Sequence, residues 1–102
     1  MAVSFSECVR VAPDVLFRLV GDEGVLLNLN TEMYLGLNLV GTRMWNVLTG
    51  ASSIQAAYDE LLGEYQVEPA QLRVDLEAFI DQLLGQKLIV AGLVTQERDE
   101  TT

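Results

Sequence analysis

The sequence predicts an α+β domain with a three-stranded antiparallel meander, three helices and a short final strand, in that order. Two patterns support this prediction. From residue 15 to residue 37, short β-branched and aliphatic runs are separated by turn-forming Gly, Asp and Asn residues, which is typical of strands joined by hairpin loops. From residue 38 to residue 84, apolar residues recur at helical spacing, which is typical of helices with one buried face. This order of elements favours a small winged-helix-like architecture.

The composition limits the protein to one small domain and excludes several kinds of site. At 102 residues the chain can bury one modest core. Its single cysteine, Cys8, excludes an internal disulfide. Because the chain has no histidine, neither a Cys/His nucleophile pair nor a typical zinc site can form. We therefore expect a protein that is not an enzyme and that needs no cofactor or metal.

The charge balance argues against a nucleic-acid partner. With 15 acidic and 6 basic residues, the chain has a formal charge of −9 and would be repelled by phosphates, whereas a neutral or basic peptide would be attracted. No apolar run reaches the roughly 20 residues that span a bilayer. Glu7 and Arg10 interrupt the stretch where an export signal would have its apolar centre. We therefore expect a soluble, cytoplasmic protein without a membrane partner.

Three strands are predicted before the first helix. Residues 1–12 have no clear period, so no element is predicted there, and Pro13-Asp14 is typical of a turn. The turn-forming residues between the strands lie at Gly21–Gly24 and Asn30–Glu32. The predicted strands are Val15–Val20, Val25–Leu29 and Met33–Leu37. Because a small sheet alone is marginally stable, its apolar face should be covered by the helices that follow.

Each predicted helix has a start signal and an end signal. A capping side chain begins the first two helices, the second as a capping box with Gln55, and a proline suits the first turn of the third. The predicted starts are Asn38, Ser52 and Pro69, and the predicted ends are Gly50, Gly63 and Gly85. In the first helix, the stripe predicted to be buried comprises Val40, Met44, Val47 and Leu48, with Trp45 packed in the core or at the sheet–helix seam.

The end of the chain is predicted to contain one strand and a tail. Lys87–Val90 has the apolar character of a short final strand. The polar residues TQERDETT that follow lack a period and are expected to be disordered. The expected division is therefore an N-terminal segment at 1–12, a binding domain at 13–92 and an acidic tail at 93–102.

Three stretches between Gly24 and about Val90 resemble a known family in their order and spacing. The first, VLLNLNTEMYLGLNLVGTRMW, contains a Tyr-x-Leu-Asn-x-x-Gly-like step at Tyr34–Gly41, followed by Trp45. The second is SSIQAAYDELLGEYQVEP. The third, VDLEAFIDQLLGQKLI, looks like an Asp-aliphatic-x-x-Phe-aliphatic-x-x-Leu helix that ends at a Gly. Together they resemble the PqqD-like proteins, also called RiPP recognition elements.

The resemblance implies a binding role without catalysis. Such domains bind the leader region of a ribosomally made precursor peptide and deliver it to a modifying enzyme. That enzyme is a radical-SAM enzyme, a cyclase or a leader peptidase, and both pyrroloquinoline quinone synthesis and lasso-peptide assembly fit the pattern. In the family, the leader adds as a strand beside the third strand of the meander, in a cleft closed by the third helix. In this chain those elements are Met33–Leu37 and Pro69–Leu84.

Candidate peptide-binding residues come from both elements. On a helical wheel of the third helix, Ile80 and Leu84 lie at one border of the apolar stripe, so we expect them to form the groove wall, with Arg73 and Glu77 as its polar rim. Asp75 matches the family's motif position and either orients the peptide or is a solvated carboxylate. Arg73 either pairs with Glu77 or meets an acidic leader residue. The full candidate set is Met33, Tyr34, Leu35, Gly36, Arg73, Asp75, Leu76, Glu77, Ile80 and Leu84. Of the residues near the centre of the stripe, Leu76, Phe79 and Leu83 are more typical of plain core, although Leu76 stays a candidate.

Two other interpretations stay open at this point. A winged-helix DNA-binding regulator would use the third helix for recognition, but Pro69–Leu84 has one Arg against three acidic residues. A dimeric adaptor would pair two copies of Met33–Leu37 edge to edge. Such a dimer would occupy the edge that a leader peptide needs.

Overall fold

The computed structural model describes residues 4–93, and this part of the chain forms two antiparallel sheets and three helices. In chain order the elements are β1 (Glu7–Val11), β2 (Val15–Val20), β3 (Glu23–Asn28), β4 (Met33–Gly36), α1 (Leu39–Gly50), α2 (Ile54–Glu64), α3 (Pro69–Gly85) and β5 (Ile89–Leu93). The predicted meander is confirmed, because β2, β3 and β4 form one antiparallel sheet in that order. The α+β class and the three helices are confirmed as well, whereas the winged-helix-like architecture stays a prediction. From residue 94 on, the predicted disordered tail lies outside the described residues.

The second sheet is an element that the sequence did not reveal. β1 lies within residues 1–12, for which no element is predicted, and it pairs antiparallel with β5, with Val9 opposite Ala91. Val9 is the one residue of β1 that is fully buried, so the strand has almost no apolar pattern of its own. Its partner comes from the far end of the chain. Residues 7–11 of the N-terminal segment are therefore part of the fold.

The final strand begins two residues later than predicted, because α3 ends in a Schellman turn. Lys87 has a φ of 60°, the left-handed conformation that usually follows a helix end. Lys87 N donates to Leu84 O at 3.0 Å and Leu88 N donates to Leu83 O at 2.9 Å, which closes the last turn. Residues 87 and 88 therefore belong to this turn, and β5 starts at Ile89.

The caps of α1 and α2 lie at or within one residue of the predicted positions. Asn38 caps α1 as predicted, with its side chain accepting from Gly41 N at 2.8 Å. The cap of α2 is Ser53 rather than Ser52, and Ser53 Oγ accepts from Ala56 N at 3.0 Å. Val40 is 46% exposed, so its assignment to the buried stripe is wrong. It lies in the first turn of α1, before the part of the helix that packs on the sheet.

The hydrophobic core lies between the inner face of the meander and the helices. Trp45 is buried there, as expected, and stacks on Phe17 of β2 with the ring centroids 6.0 Å apart. Leu26 of β3 is fully buried beside them. A Cβ atom at Gly24 would lie 2.4 Å from the Phe17 ring, so only glycine fits where this ring crosses β3. The aromatic pair thus fixes the helices against the sheet through close contact with backbone.

Asn28, at the end of β3, joins the meander to the end of α3. Asn28 is buried, with 3% of the residue exposed. Its Oδ1 accepts from Asn30 N at 2.9 Å and from Thr31 N at 3.3 Å, which orders the turn before β4. Its Nδ2 donates to Gln86 O at 3.3 Å and to Lys87 O at 3.1 Å. One amide therefore holds both the turn before β4 and the turn after α3.

Replacing Asn28 by aspartate should destabilise the protein strongly. The carboxylate of the Asn28→Asp variant keeps the two accepted bonds but cannot donate, and it would place a buried charge against two carbonyl oxygens. We expect a loss of about 2–4 kcal/mol in the free energy of unfolding, measured by urea denaturation at pH 7. The same chemical change at exposed Asn46, Asn46→Asp, should cost less than about 0.5 kcal/mol. Equal effects of the two substitutions would contradict the role assigned to Asn28.

Candidate functional site

β4 is an edge strand with one side free. Among the strands of residues 4–93 it pairs with β3 alone, through a register that places Leu26 opposite Leu35. Leu37 N donates to Gly24 O at 2.8 Å, so this pair is hydrogen bonded. Because bonded and non-bonded pairs alternate along an antiparallel ladder, the backbone groups of Leu35 also face β3, whereas those of residues 34 and 36 face the free edge. This edge therefore offers two N–H groups and two carbonyl groups for an added strand.

The end of β4 is anchored to α1 by a buried hydroxyl. Thr42 Oγ1 accepts from Gly24 N at 2.8 Å and lies 3.5 Å from Leu37 O, to which it donates. Thr42 is 6% exposed. The hydroxyl thus bridges β3 and the residue that follows β4, at the point where a regular ladder would place a direct N–H to carbonyl bond. β4 is consequently held in place without using its free edge.

A cleft lies between β4 and α3. Leu35 and Phe79 are half-buried side chains that pack against the core from either side of it. Gln82 adds an exposed polar group on the α3 side. The residues that line the cleft are Leu35, Gly36, Leu37, Asn38, Gly41, Phe79 and Gln82. The cleft therefore has an apolar floor, a polar rim and the open edge of β4 beside it.

The direction of α3 follows from the bonds of Asn28. Asn28 lies opposite Met33 in the sheet and donates to the carbonyls that follow α3, so the end of α3 lies near the start of β4. Going back along α3, the residues on the cleft side are Gln82, then Phe79, then Asp75. At 100° per residue, Asp75 lies within about 40° of Phe79 on the helix. Asp75 is exposed, and its Oδ1 accepts from Gln71 Nε2 at 2.8 Å.

The structure corrects the predicted groove wall. Ile80 and Leu76 are fully buried at 0% exposure, so neither side chain is available to a peptide in this structure. Arg73, Glu77 and Leu84 lie about 120–160° around α3 from Phe79, away from the cleft. The expectation that Ile80 and Leu84 form the wall is therefore wrong. A helical wheel marks two borders of an apolar stripe, and only the packing decides which border faces β4.

Phe79, Gln82 and the start of α1 are parts of the cleft that sequence reasoning missed. Phe79 was assigned to the core because it lies near the centre of the apolar stripe. One signal was available, since Asp75 precedes Phe79 by four residues and Gln82 follows it by three. Polar residues at these spacings share a helix face with Phe79, which indicates a border position rather than a central one. The strand candidates Met33, Tyr34, Leu35 and Gly36 form β4 as predicted.

A second exposed surface covers the outer face of the meander, opposite the core. Its residues lie on the side of the sheet opposite Phe17, Leu26 and Leu35, and they are Leu16, Arg18, Val20, Val25, Leu27 and Tyr34. We call this set the outer face. Val20 and Tyr34 are 68% and 72% exposed. Within residues 4–93, this group of apolar side chains has no other element packed over it.

Basic side chains of the helices are engaged away from the cleft. Arg43 of α1 donates to Glu64 and also pairs with Glu60, both in α2. The hydrogen bonds from Arg43 lower the pKa of the Glu64 carboxyl. Arg73 lies 3.9 Å from Glu77, so of the two roles left open for Arg73 this structure shows the pairing within α3. The cleft side of α3 therefore presents Asp75 without a neighbouring cation from that helix.

The described residues show neither a membrane span nor a metal cluster. None of the helices within residues 4–93 combines the length and the apolar character that crossing a bilayer requires. In the same part of the chain, no three His, Cys, Asp or Glu side chains come together in a way that would hold a metal ion.

Comparison with known proteins identifies the family. The family model for coenzyme PQQ synthesis protein D (PqqD) matches residues 23–89, from the start of β3 to the start of β5. This chain belongs to the PqqD family. The predicted resemblance is thereby confirmed, and the match includes both elements that form the cleft. No curated protein sequence matches the chain.

Two solved structures are similar to this PqqD-family chain. TbiB1 in complex with the TbiA(beta) leader peptide is 30% identical, with a TM-score of 0.70, and the match covers 78% of this chain and 93% of that one. A lasso peptide synthetase B1 complexed with the leader peptide is 20% identical, also with a TM-score of 0.70, and the match covers 80% of this chain and 96% of that one. The second similarity supports the fold alone.

Proposed function

We propose that this protein binds the leader region of a ribosomally synthesised precursor peptide by β-strand addition along β4. It then delivers the peptide to a modifying enzyme, such as a leader peptidase, a cyclase or a radical-SAM enzyme. The observation that carries the proposal is the free edge of β4, which lies beside a cleft closed by α3. Membership of the PqqD family and the similarity to TbiB1, which was solved with a leader peptide, support the same function.

The binding free energy expected from backbone hydrogen bonds at the free edge of β4 is too small by itself, so the cleft must contribute as well. Four backbone hydrogen bonds at residues 34 and 36 would contribute about 2–6 kcal/mol at about 0.5–1.5 kcal/mol each. Micromolar binding requires about 8 kcal/mol. Side chains of the leader that enter the cleft must therefore supply the remainder, against Leu35 and Phe79. Because side chains alternate along an added strand, every second leader residue would point into the cleft.

The proposed role is binding and delivery rather than catalysis. The chain contains no histidine and a single cysteine, so it lacks the usual nucleophile and base pairs. The cleft is lined by aliphatic, aromatic and amide side chains, which bind a peptide but supply no acid or base at its apolar floor. Chemistry on the peptide is therefore assigned to the partner enzyme.

Delivery needs a second surface that stays free while the leader is bound, and we assign that role to the outer face. Side chains of β4 alternate between the two faces, so Tyr34 belongs to the outer face while Leu35 belongs to the cleft. The outer face is continuous with the strand that takes the leader. Arg18 is its one charged member, and the modifying enzyme would need a complementary apolar surface with an acceptor for this cation.

Strand addition itself can be tested at Tyr34. In the Tyr34→Pro variant the ring replaces an N–H that faces the free edge, a position where proline leaves the β3 ladder intact. We expect leader affinity to fall at least about tenfold, because one hydrogen bond is lost and the ring blocks the added strand. The control, Tyr34→Val, keeps the N–H and should bind within about threefold of the unaltered protein.

The probe for this measurement is a synthetic peptide with the leader sequence of a precursor, chosen from any small open reading frames found next to this gene. It is titrated into isotope-labelled protein, and the backbone amide shifts give both the affinity and the site. The shifts are expected to concentrate in β4 and on the cleft side of α3. Equal affinity of the two folded variants would rule out strand addition, and shifts with duplex DNA alone would favour the regulator interpretation.

The corrected groove wall generates a prediction at Phe79. Truncating this ring in the Phe79→Ala variant removes apolar surface from the cleft, so leader affinity should fall about tenfold or more. Val74, 58% exposed on another side of α3, provides the control, and Val74→Ala should leave affinity unchanged. Isothermal titration calorimetry gives both values, and circular dichroism checks that both variants are folded. If both variants bind as tightly as the unaltered protein, Phe79 is not part of the binding wall.

The outer face generates a separate prediction about delivery. A carboxylate introduced by Leu16→Glu should leave leader affinity unchanged, because it lies on the opposite side of the sheet from the cleft. It should slow modification of the precursor at least about fivefold in a reaction reconstituted with the enzyme encoded beside this gene. Val74→Glu, which introduces the same charge off the outer face, should not slow it. A matching loss in leader affinity would show that the two surfaces are not separate.

A further inference from the structure

Three aromatic and cationic side chains form a cluster on the side of α3 that faces away from the cleft. Phe5, just before β1, is 6% exposed. Its ring packs edge-on against Tyr58 of α2, with the centroids 5.8 Å apart. The Arg73 guanidinium of α3 lies over the same ring, 4.1 Å from its centroid, which is a cation–π contact. The N-terminal segment, α2 and α3 therefore meet at one phenylalanine.

Two hydrogen bonds fix this cluster to the helix starts. Phe5 O accepts from Gln55 N at 2.8 Å, and so satisfies one of the free N–H groups in the first turn of α2. Tyr58 Oη donates to Pro69 O at 2.9 Å, at the first residue of α3. Glu68, which precedes Pro69, makes no side-chain capping bond, so the start of α3 lacks a cap of its own. The bond from Tyr58 to the Pro69 carbonyl leaves the free N–H groups of this turn uncapped, but it ties the start of α3 to α2.

The cluster and Asn28 hold opposite ends of α3. Asn28 binds the carbonyls that follow the helix, whereas the cluster contacts its first turns. Asp75 and Phe79, the cleft side of α3, lie between these two anchors. Movement of either end would change the distance between this part of α3 and β4. A leader peptide would then have to order the helix as it binds, which costs affinity.

We propose that Arg73 is a positioning residue for leader binding, which acts through Phe5 to hold the first half of α3 at the distance from β4 that the peptide requires. This inference rests on the proposed function. It also gives Arg73 a role different from contact with an acidic leader residue. The charge of Arg73 is used within the protein, on the Phe5 ring and on Glu77, rather than toward the cleft.

The test compares Arg73→Ala with Arg73→Lys and with a matched arginine elsewhere. We expect Arg73→Ala to weaken binding of the synthetic leader segment about five- to tenfold and to accelerate amide hydrogen exchange at residues 72–76. Arg73→Lys keeps a cation over the ring and should recover most of both losses. Arg43→Ala removes an arginine paired between α1 and α2 and should leave both readouts unchanged. Phe5→Leu, which keeps an apolar side chain but removes the ring, should behave like Arg73→Ala.

The two readouts separate this inference from the proposed function. If the unaltered protein does not bind the leader segment, the proposed function fails, and the role of Arg73 in leader binding fails with it. Hydrogen exchange still decides whether Arg73 positions α3, because that readout needs no peptide. If the unaltered protein binds and Arg73→Ala binds equally well, the inference is overturned while the proposed function stands. Loss of binding in Arg73→Ala with unchanged exchange at residues 72–76 would instead indicate direct contact with the peptide.

Discussion

The buried amide of Asn28 is the interaction on which the cleft depends. Its oxygen orders the turn that leads into β4, and its nitrogen binds the carbonyls that follow α3. The Asn28 side chain therefore fixes the position of β4 relative to the end of α3, and these two elements form the walls of the cleft. The register of Asn28 opposite Met33 also decides which residues face inward, because a shift of one residue would turn Leu35 out of the cleft and Tyr34 into it. A buried polar group with every bond satisfied is well suited to this task, since any alternative register would leave it unpaired.

β4 presents its four residues in three independent directions. Its inward side chain, Leu35, belongs to the cleft, its outward side chain, Tyr34, belongs to the outer face, and its backbone groups at residues 34 and 36 face the free edge. In the proposed function the inward side chain contacts leader side chains, the outward side chain contacts the modifying enzyme, and the backbone groups bind the leader backbone. Arg73 and Phe5 contribute from outside the cleft, by holding the first half of α3 in place.

Much of the fold could be predicted from local patterns, whereas the position of the cleft wall could not. Asn38 and Pro69 mark helix starts through the chemistry of a single turn, so they were recognised without tertiary information. Ile80 and Phe79 are adjacent residues of one apolar stripe, and sequence reasoning assigned the groove to the wrong one. Ile80 has 0% exposure because α3 packs over it, and Phe79 reaches the border that meets β4. The helical wheel contains no information on where the sheet lies.

By itself, the sequence determined the types and order of the elements from β2 to α3, the burial of Trp45 and the family, because periodicity, capping residues and motif spacing are properties of neighbouring positions. The tertiary structure alone decided the pairing of β1 with β5, the side of α3 that faces β4, and the contact between Arg73 and Phe5. Each of these joins residues far apart in the chain. The stability of these contacts depends on how the helices and sheets pack together, and no local sequence pattern encodes that packing.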